Sequence, residues 1–232
     1  MFPIGDDDSQ LRRPAYVNYV LIALNVLVFG YQVSLGTESR ALQDFILRWG
    51  VIPQDIVAGN NLTSLLTSMF LHGGWAHLIG NMAFLWVFGN NIEDALGHVG
   101  YLVFYLLTGL AASAAHIWLS VGTPNALIPS VGASGAISGV LGAYIVLFGG
   151  NRIRVLIGYF VTMLPAWMMI GLWAGQQFLA TYATIANTDQ TTIGGGVAYG
   201  AHAGGFVAGL VAAFALRGMV RRRQPTAARR FR

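Results

Sequence analysis

Residues 99–120 read VGYLVFYLLTGLAASAAHIWLS, a run that contains no Asp, Glu, Lys or Arg. A helix needs about 20 predominantly apolar residues to cross the hydrocarbon core of a bilayer, so this run predicts a membrane-spanning helix. Five further apolar runs cover residues 16–35, 74–91, 133–150, 155–182 and 197–217. The sequence therefore predicts an all-α, polytopic membrane protein built as a six-transmembrane-helix bundle.

The composition agrees with a protein whose solvent is lipid. Of the 232 residues, 55% are hydrophobic and 9% are charged, and the mean hydropathy is +0.60; soluble domains carry about 25% charged residues. The absence of cysteine excludes disulfides, thiolate nucleophiles and cysteine-based zinc sites. No repeat or change in composition divides the chain, so residues 1–232 are predicted to form a single membrane domain.

The long segment between the first two spans, about 36–73, is predicted to be helical and interfacial. Apolar residues recur at i, i+3, i+4 and i+7 over 42–49 and again over 62–70. This period is typical of amphipathic helices, which lie in the plane of the membrane surface.

The distribution of arginine predicts the orientation. All 13 basic residues are arginines, and seven of them lie in residues 217–232. Six spans place both termini on the side that collects most arginines, so both termini are predicted to be cytoplasmic. The predicted organisation is an N-terminal tail (1–15), a six-helix core (16–217) and a basic tail (218–232) that contacts anionic lipid and not nucleic acid. No organelle-targeting segment is evident, so a prokaryotic inner membrane is expected.

Four polar residues lie near the same end of three predicted spans. They are His77 and Asn81 in the second span, Ser134 in the fourth and His202 in the sixth. Because spans two, four and six enter the membrane from the same side, these residues are predicted to lie at similar depth, close to the non-cytoplasmic face. Ionisable residues inside a membrane are rare and point to function.

This set of residues suits acyl transfer. Ser134 is the candidate nucleophile and neutral His202 the candidate general base. The side chains of Asn81 and His77, with the backbone N–H of Ser134, are candidate donors to the oxyanion. No acidic residue falls within a predicted span, so the sequence predicts a catalytic dyad and not a triad.

Glycine spacing predicts close packing of the spans that carry the serine and the histidine. Gly135 and Gly139 form G-x-x-x-G in the fourth span, and Gly205 and Gly209 form it in the sixth. Small residues at this spacing let helix backbones approach closely.

Three motifs on spans two, four and six resemble the rhomboid intramembrane serine proteases. They are HGGWAHLIGNM (72–82), GASG (132–135) and AHAGG (201–205). The resemblance implies a rhomboid-like bundle with Ser134 as nucleophile, His202 as base, Asn81 and His77 as oxyanion donors, and His72, Gly132 and Gly135 as supporting positions. It also implies single-span membrane proteins as substrates, and no metal or cofactor. Many family members have an aromatic residue on the catalytic histidine one turn after the serine, where this chain has Ser138.

Two other functions compete with proteolysis. One is a catalytically silent rhomboid-like protein that binds membrane clients, although such a protein would be expected to lack the serine or the histidine. The other is a proton-coupled transporter, for which the sequence offers neither buried acids nor inverted repeats. In the fifth span, Gln176 and Gln177 are expected to line a cavity or to bridge helices, and Pro165 is expected to kink the helix.

Overall fold

The computed structural model describes residues 1–6, 11–186 and 198–223. In chain order its elements are β1 (Phe2–Gly5), α1 (Tyr16–Ser34), α2 (Arg40–Trp49), α3 (Pro53–Val57), α4 (Ser64–Thr67), α5 (Trp75–Leu96), α6 (His98–Ser120), α7 (Ser134–Phe148), β2 (Arg152–Ile157), β3 (Phe160–Pro165), α8 (Ala166–Ala186) and α9 (Tyr199–Arg223). Short 3-10 turns cover Ser68–Phe70 and Pro124–Leu127. The fold is mostly helical, as predicted, and most of the predicted basic tail lies outside the described residues.

Three of the described helices are long and apolar enough to cross a membrane, namely α1, α6 and residues Tyr199–Gly218 of α9. The helix α7 is apolar but shorter. Helix α1 turns a largely polar face to the protein, because it buries Asn18, Asn25 and Gln32 at seven-residue spacing beside Leu21 and Phe29. Large apolar side chains such as Leu27 face outward. Burial inside the protein does not account for these exposed apolar side chains, whereas a lipid surround does.

The segment between α1 and α5 is helical in pieces, which agrees with its two amphipathic stripes. Ser39 caps α2 by accepting a hydrogen bond from the backbone N–H of Leu42 at 3.0 Å. The helices α3 and α4 have five and four residues, and Pro53 starts α3 because its missing N–H costs nothing in a first turn.

The prediction of a helix over 155–182 is wrong for residues 155–165, which form strands and the turn between them. The prediction of an all-α fold is wrong for the same reason. Residues 152–165 form the antiparallel hairpin β2–β3, and α8 begins only after Pro165, which ends β3 and does not kink a helix. The two-residue turn between the strands uses a positive φ of 59° at Gly158, the geometry that favours tight hairpins. Strand β1 pairs with β2, so part of the predicted N-terminal tail belongs to a three-stranded sheet.

Glu93 ties the start of α1 to the end of α5. Its carboxylate is buried and accepts the backbone N–H groups of Val17 at 2.9 Å and Asn18 at 2.7 Å. These are among the N–H groups that a helix leaves unpaired at its N-terminus, where negative charge is favoured. The Asn18 side chain in turn donates to the carbonyl of Leu85 on α5 at 2.9 Å.

Helices α7 and α9 approach until backbone meets backbone, as the glycine spacing predicts. A Cβ added to Gly205 would collide with the carbonyl oxygen of Gly135, and one added to Gly209 would collide with that of Gly139. Both pairs share one sequence offset and the second pair lies one turn further along each helix. The two helices therefore run parallel and in register.

Candidate active site

The N-terminal ends of α5 and α7 meet at Gly132. This residue has a φ of +132°, and the place where its Cβ would stand is 2.8 Å from Nε2 of His77 and 3.4 Å from the hydroxyl oxygen of Ser134. Only glycine combines that backbone conformation with that proximity. The structure thus brings His77 and Ser134 together around a single glycine.

His202 joins this group through the register of α7 and α9. Gly205 packs on Gly135, the residue after Ser134, and His202 stands three residues before Gly205 on α9. His202 is 8% exposed and lies at the level of the loop that presents Ser134. The hydrogen bonds of the described residues do not include one between Ser134 and His202, and such bonds often tighten only when substrate is bound.

The tautomer of His77 follows from its neighbour in the preceding loop. The backbone N–H of Gly73 donates to Nδ1 of His77 at 3.3 Å. Because Nδ1 accepts, the neutral ring carries its proton on Nε2. That nitrogen is the one beside Gly132, so the N–H of His77 is available to an oxygen atom next to Ser134.

Asn81 lies one turn after His77 on α5 and is 8% exposed. Its amide nitrogen is buried and has no hydrogen-bond acceptor within the described part of the chain. A buried donor without a partner costs about 1–3 kcal/mol, so an acceptor supplied by a ligand would be favoured there.

Ser134 is the first residue of α7, so its backbone N–H is free of intrahelical bonding. The fully buried Ser138 donates its hydroxyl to the carbonyl of Ser134 at 2.6 Å. Ser138 therefore braces the backbone that carries Ser134 and does not bond to His202.

The ring of His202 is held mainly by α8. Trp173 lies with its ring centroid 5.9 Å away at an interplanar angle of 33°, and Tyr199 meets the ring edge-on at 6.5 Å. The side-chain oxygen of Gln177 is 2.8 Å from Nδ1 of His202. The sequence predicts that Gln176 and Gln177 line a cavity or bridge helices, without separating the two; Gln177 is the one that bridges α8 to His202 of α9.

His72 is a buried support for His77. Its backbone is clamped by Gln32 of α1, which accepts from the N–H and donates to the carbonyl, both at 3.0 Å. Its ring is 1% exposed and stands 5.1 Å from the ring of His77. Burial, followed by the neighbouring His77, lowers the pKa of His72 from its ordinary 6.5 to about 4. The ring is neutral at physiological pH and packs as an uncharged group.

Comparison with known proteins gives a consistent result. The family model of the rhomboid domain matches residues 59–219. The chain is 32% identical over 200 residues to Rhomboid protein 1, mitochondrial, of Saccharomyces cerevisiae, covering 86% of this chain and 53% of that protein. It is 30% identical over 207 residues to Rhomboid protease GluP of Bacillus subtilis, covering 89% of this chain and 36% of that protein. The chain thus spans about half the length of the first relative and about a third of the second.

Proposed function

The chain belongs to the rhomboid family of integral membrane proteins, and on that premise we propose that it is an intramembrane serine endopeptidase. It hydrolyses peptide bonds in or near the transmembrane segment of membrane-protein substrates, with Ser134 as nucleophile and His202 as general base. The observation that carries the proposal is the convergence of Nε2 of His77 and the Ser134 hydroxyl at Gly132. It is supported by the contact of Gly205 with Gly135, which packs the helix of His202 against the helix of Ser134.

In the first step the Ser134 hydroxyl oxygen attacks the scissile carbonyl carbon while Nε2 of His202 takes the hydroxyl proton. A tetrahedral intermediate forms, and its C–N bond breaks as His202 returns the proton to the leaving amine. The product that remains is an acyl ester on Ser134.

The negative charge on the tetrahedral oxygen needs preorganised donors. The Nε2–H of His77, the amide of Asn81 and the backbone N–H of Ser134 supply them. Each donor of this kind is worth roughly 10²–10³ in kcat in other acyl-transfer enzymes. Support for Asn81 comes from its buried amide nitrogen, which has no acceptor among the described residues.

Water then attacks the ester, His202 takes its proton, and the bond between the acyl carbon and the Ser134 oxygen breaks. The proton passes to the serine oxygen and the acid product leaves. No carboxylate of the described residues bonds to His202, which favours the dyad over a triad.

The proposed architecture has six spans formed by α1, α5, α6, α7, α8 and α9, with residues 36–73 at the interface and one domain over 1–232. Both termini are placed in the cytoplasm by the positive-inside rule. Relatives named as mitochondrial and bacterial share the domain, so the prokaryotic inner membrane stays a prediction.

The test is cleavage of a model single-span substrate by the purified protein in liposomes. Wild type is compared with Ser134→Ala, His202→Ala and, as a matched control, Ser113→Ala on α6. We expect cleavage by wild type and the control alone, and covalent labelling of Ser134 by a fluorophosphonate probe. Turnover by Ser134→Ala would refute the nucleophile assignment. Absence of both cleavage and labelling in wild type would refute the enzyme and favour the client-binding protein.

A further inference from the structure

We propose that Gln177 is the positioning residue for His202, holding the ring in the tautomer and orientation that accept a proton from Ser134. The inference rests on the proposed function and deepens it, because neither the motifs nor the family comparison assigns Gln177 a part. Among the described residues His202 has no carboxylate partner, so another group must hold its ring ready to act as a base.

Gln177 lies on α8 and is 6% exposed, whereas the adjacent Gln176 is exposed. A buried amide in an apolar helix needs partners, because burying it without them costs several kcal/mol. Gln177 has two, Nδ1 of His202 at 2.8 Å and the backbone carbonyl of Trp173 at 3.4 Å.

The two hydrogen-bond partners of Gln177 decide which end of its amide faces the ring. The backbone carbonyl of Trp173 can only accept, so it receives the NH2 of Gln177. The amide oxygen is then the atom directed at His202, and an oxygen of this type can only accept. The hydrogen bond at 2.8 Å is therefore N–H to O, with Nδ1 of His202 as the donor.

The tautomer of His202 follows from that direction. A neutral imidazole carries one proton, so a proton on Nδ1 leaves the lone pair on Nε2. That lone pair is what a general base for Ser134 requires. The same logic, applied to a carboxylate, underlies the serine triad, in which loss of the correct tautomer is costly.

The aromatic neighbours complete the restraint. Trp173 covers one side of the ring at 5.9 Å, and Tyr199 meets its edge at 6.5 Å. Gln177 stands one turn after Trp173 on the same helix, so one face of α8 supplies both a packing surface and an acceptor. This face takes over the task of an aromatic residue one turn after the serine, where Ser138 bonds to the backbone.

A neutral acceptor suits a site with low water content. An ionised carboxylate inside a membrane is expensive, whereas a glutamine needs only its two hydrogen bonds. The amide oxygen still stabilises the imidazolium that forms during catalysis, by a charge-assisted bond roughly twice as strong as a neutral one.

The test compares Gln177→Met, which keeps length and loses the acceptor, with Gln177→Glu, which keeps an acceptor oxygen, and with Gln176→Met as the matched control. For Gln177→Met we expect kcat and the rate of fluorophosphonate labelling of Ser134 to fall by about 10- to 100-fold, the loss of one hydrogen bond to a charged group, with KM unchanged. Gln177→Glu is expected to recover at least half of the lost labelling rate, and Gln176→Met to behave as wild type.

A second readout is independent of turnover and of folding yield. Imidazole ¹⁵N chemical shifts of His202, assigned with His202→Ala, are expected to show protonated Nδ1 and unprotonated Nε2 in wild type and a mixture in Gln177→Met. Wild-type rates in Gln177→Met, equal impairment in Gln177→Glu, or an Nε2-protonated ring in wild type would each overturn the inference. Unlabelled Ser134 in both wild type and Gln176→Met would instead refute the proposed function.

Discussion

Replacing Gly205 with alanine tests whether contact between α7 and α9 sets the geometry of the site. The added Cβ would overlap the carbonyl oxygen of Gly135 and come within 3.2 Å of the Ala112 side chain. Neither neighbour is the free end of a flexible side chain, so a helix must move. To restore an ordinary carbon–oxygen distance between the new Cβ and the Gly135 carbonyl oxygen, one helix must move by about 1 Å.

Two magnitudes follow from that displacement. Overpacking a tight contact costs about 1–3 kcal/mol of stability. A shift of about 1 Å between catalytic groups costs roughly 10²-fold in rate. Here it would separate His202 from Ser134, because Ser134 is adjacent to Gly135 and His202 lies about one turn before Gly205. We therefore expect Gly205→Ala to lose more activity than its loss of stability explains.

The assay pairs the midpoint of SDS-induced unfolding, followed by far-ultraviolet circular dichroism, with kcat for the model substrate. Gly218→Ala is the control on the same helix, since no atom lies within 4 Å of its added Cβ. The control is expected to be neutral or slightly stabilised, because alanine favours a helix over glycine by about 1 kcal/mol. If Gly205→Ala kept both the wild-type midpoint and the wild-type kcat, the packing argument would be refuted.

Three further outcomes are expected. Asn81→Ala should lower kcat by roughly 10²-fold with KM unchanged, and an unchanged kcat would remove Asn81 from the oxyanion site. Glu93→Gln should lower the unfolding free energy by about 1–3 kcal/mol, since one acceptor for the first turn of α1 becomes a donor, whereas the exposed Asp44→Asn should have little effect. His72 has its folded-state pKa, about 4, below the ordinary 6.5, so the unfolded chain takes up the proton first and stability should fall as pH drops from 6.5 toward 4. His72→Phe should show a shallower pH dependence of the unfolding midpoint, and an equally steep one would contradict this account.

Hydropathy located the long helices well but failed at the hairpin of residues 152–165. A long apolar run without charges is interpreted as a membrane span. The run that starts at Val155 contains no charged residue, so hydropathy alone assigned it to a helix. The distinguishing pattern lies just before it, where Arg152 and Arg154 alternate with the buried Ile153 and Val155. Alternation of this kind is a strand period, and Gly158 supplies the turn.

For the candidate site, the sequence predicts the depth of each residue in the membrane better than the rotation of each helix about its axis. Span order gives each residue a depth, which was enough to group His77, Ser134 and His202. To predict which face of a helix points to the site, one needs a known contact, and G-x-x-x-G supplied one for α7 and α9. Helix α8 also has G-x-x-x-G, at Gly171 and Gly175, but no atom lies within 4 Å of a Cβ added to either glycine. The motif therefore does not give the rotation of α8, and adjacent residues about 100° apart could not be separated by pattern alone. Gln177 faces His202 and Gln176 faces away because α8 follows a strand and packs through Ala174 and Trp173, a constraint that arises only once the sheet and the helices are assembled.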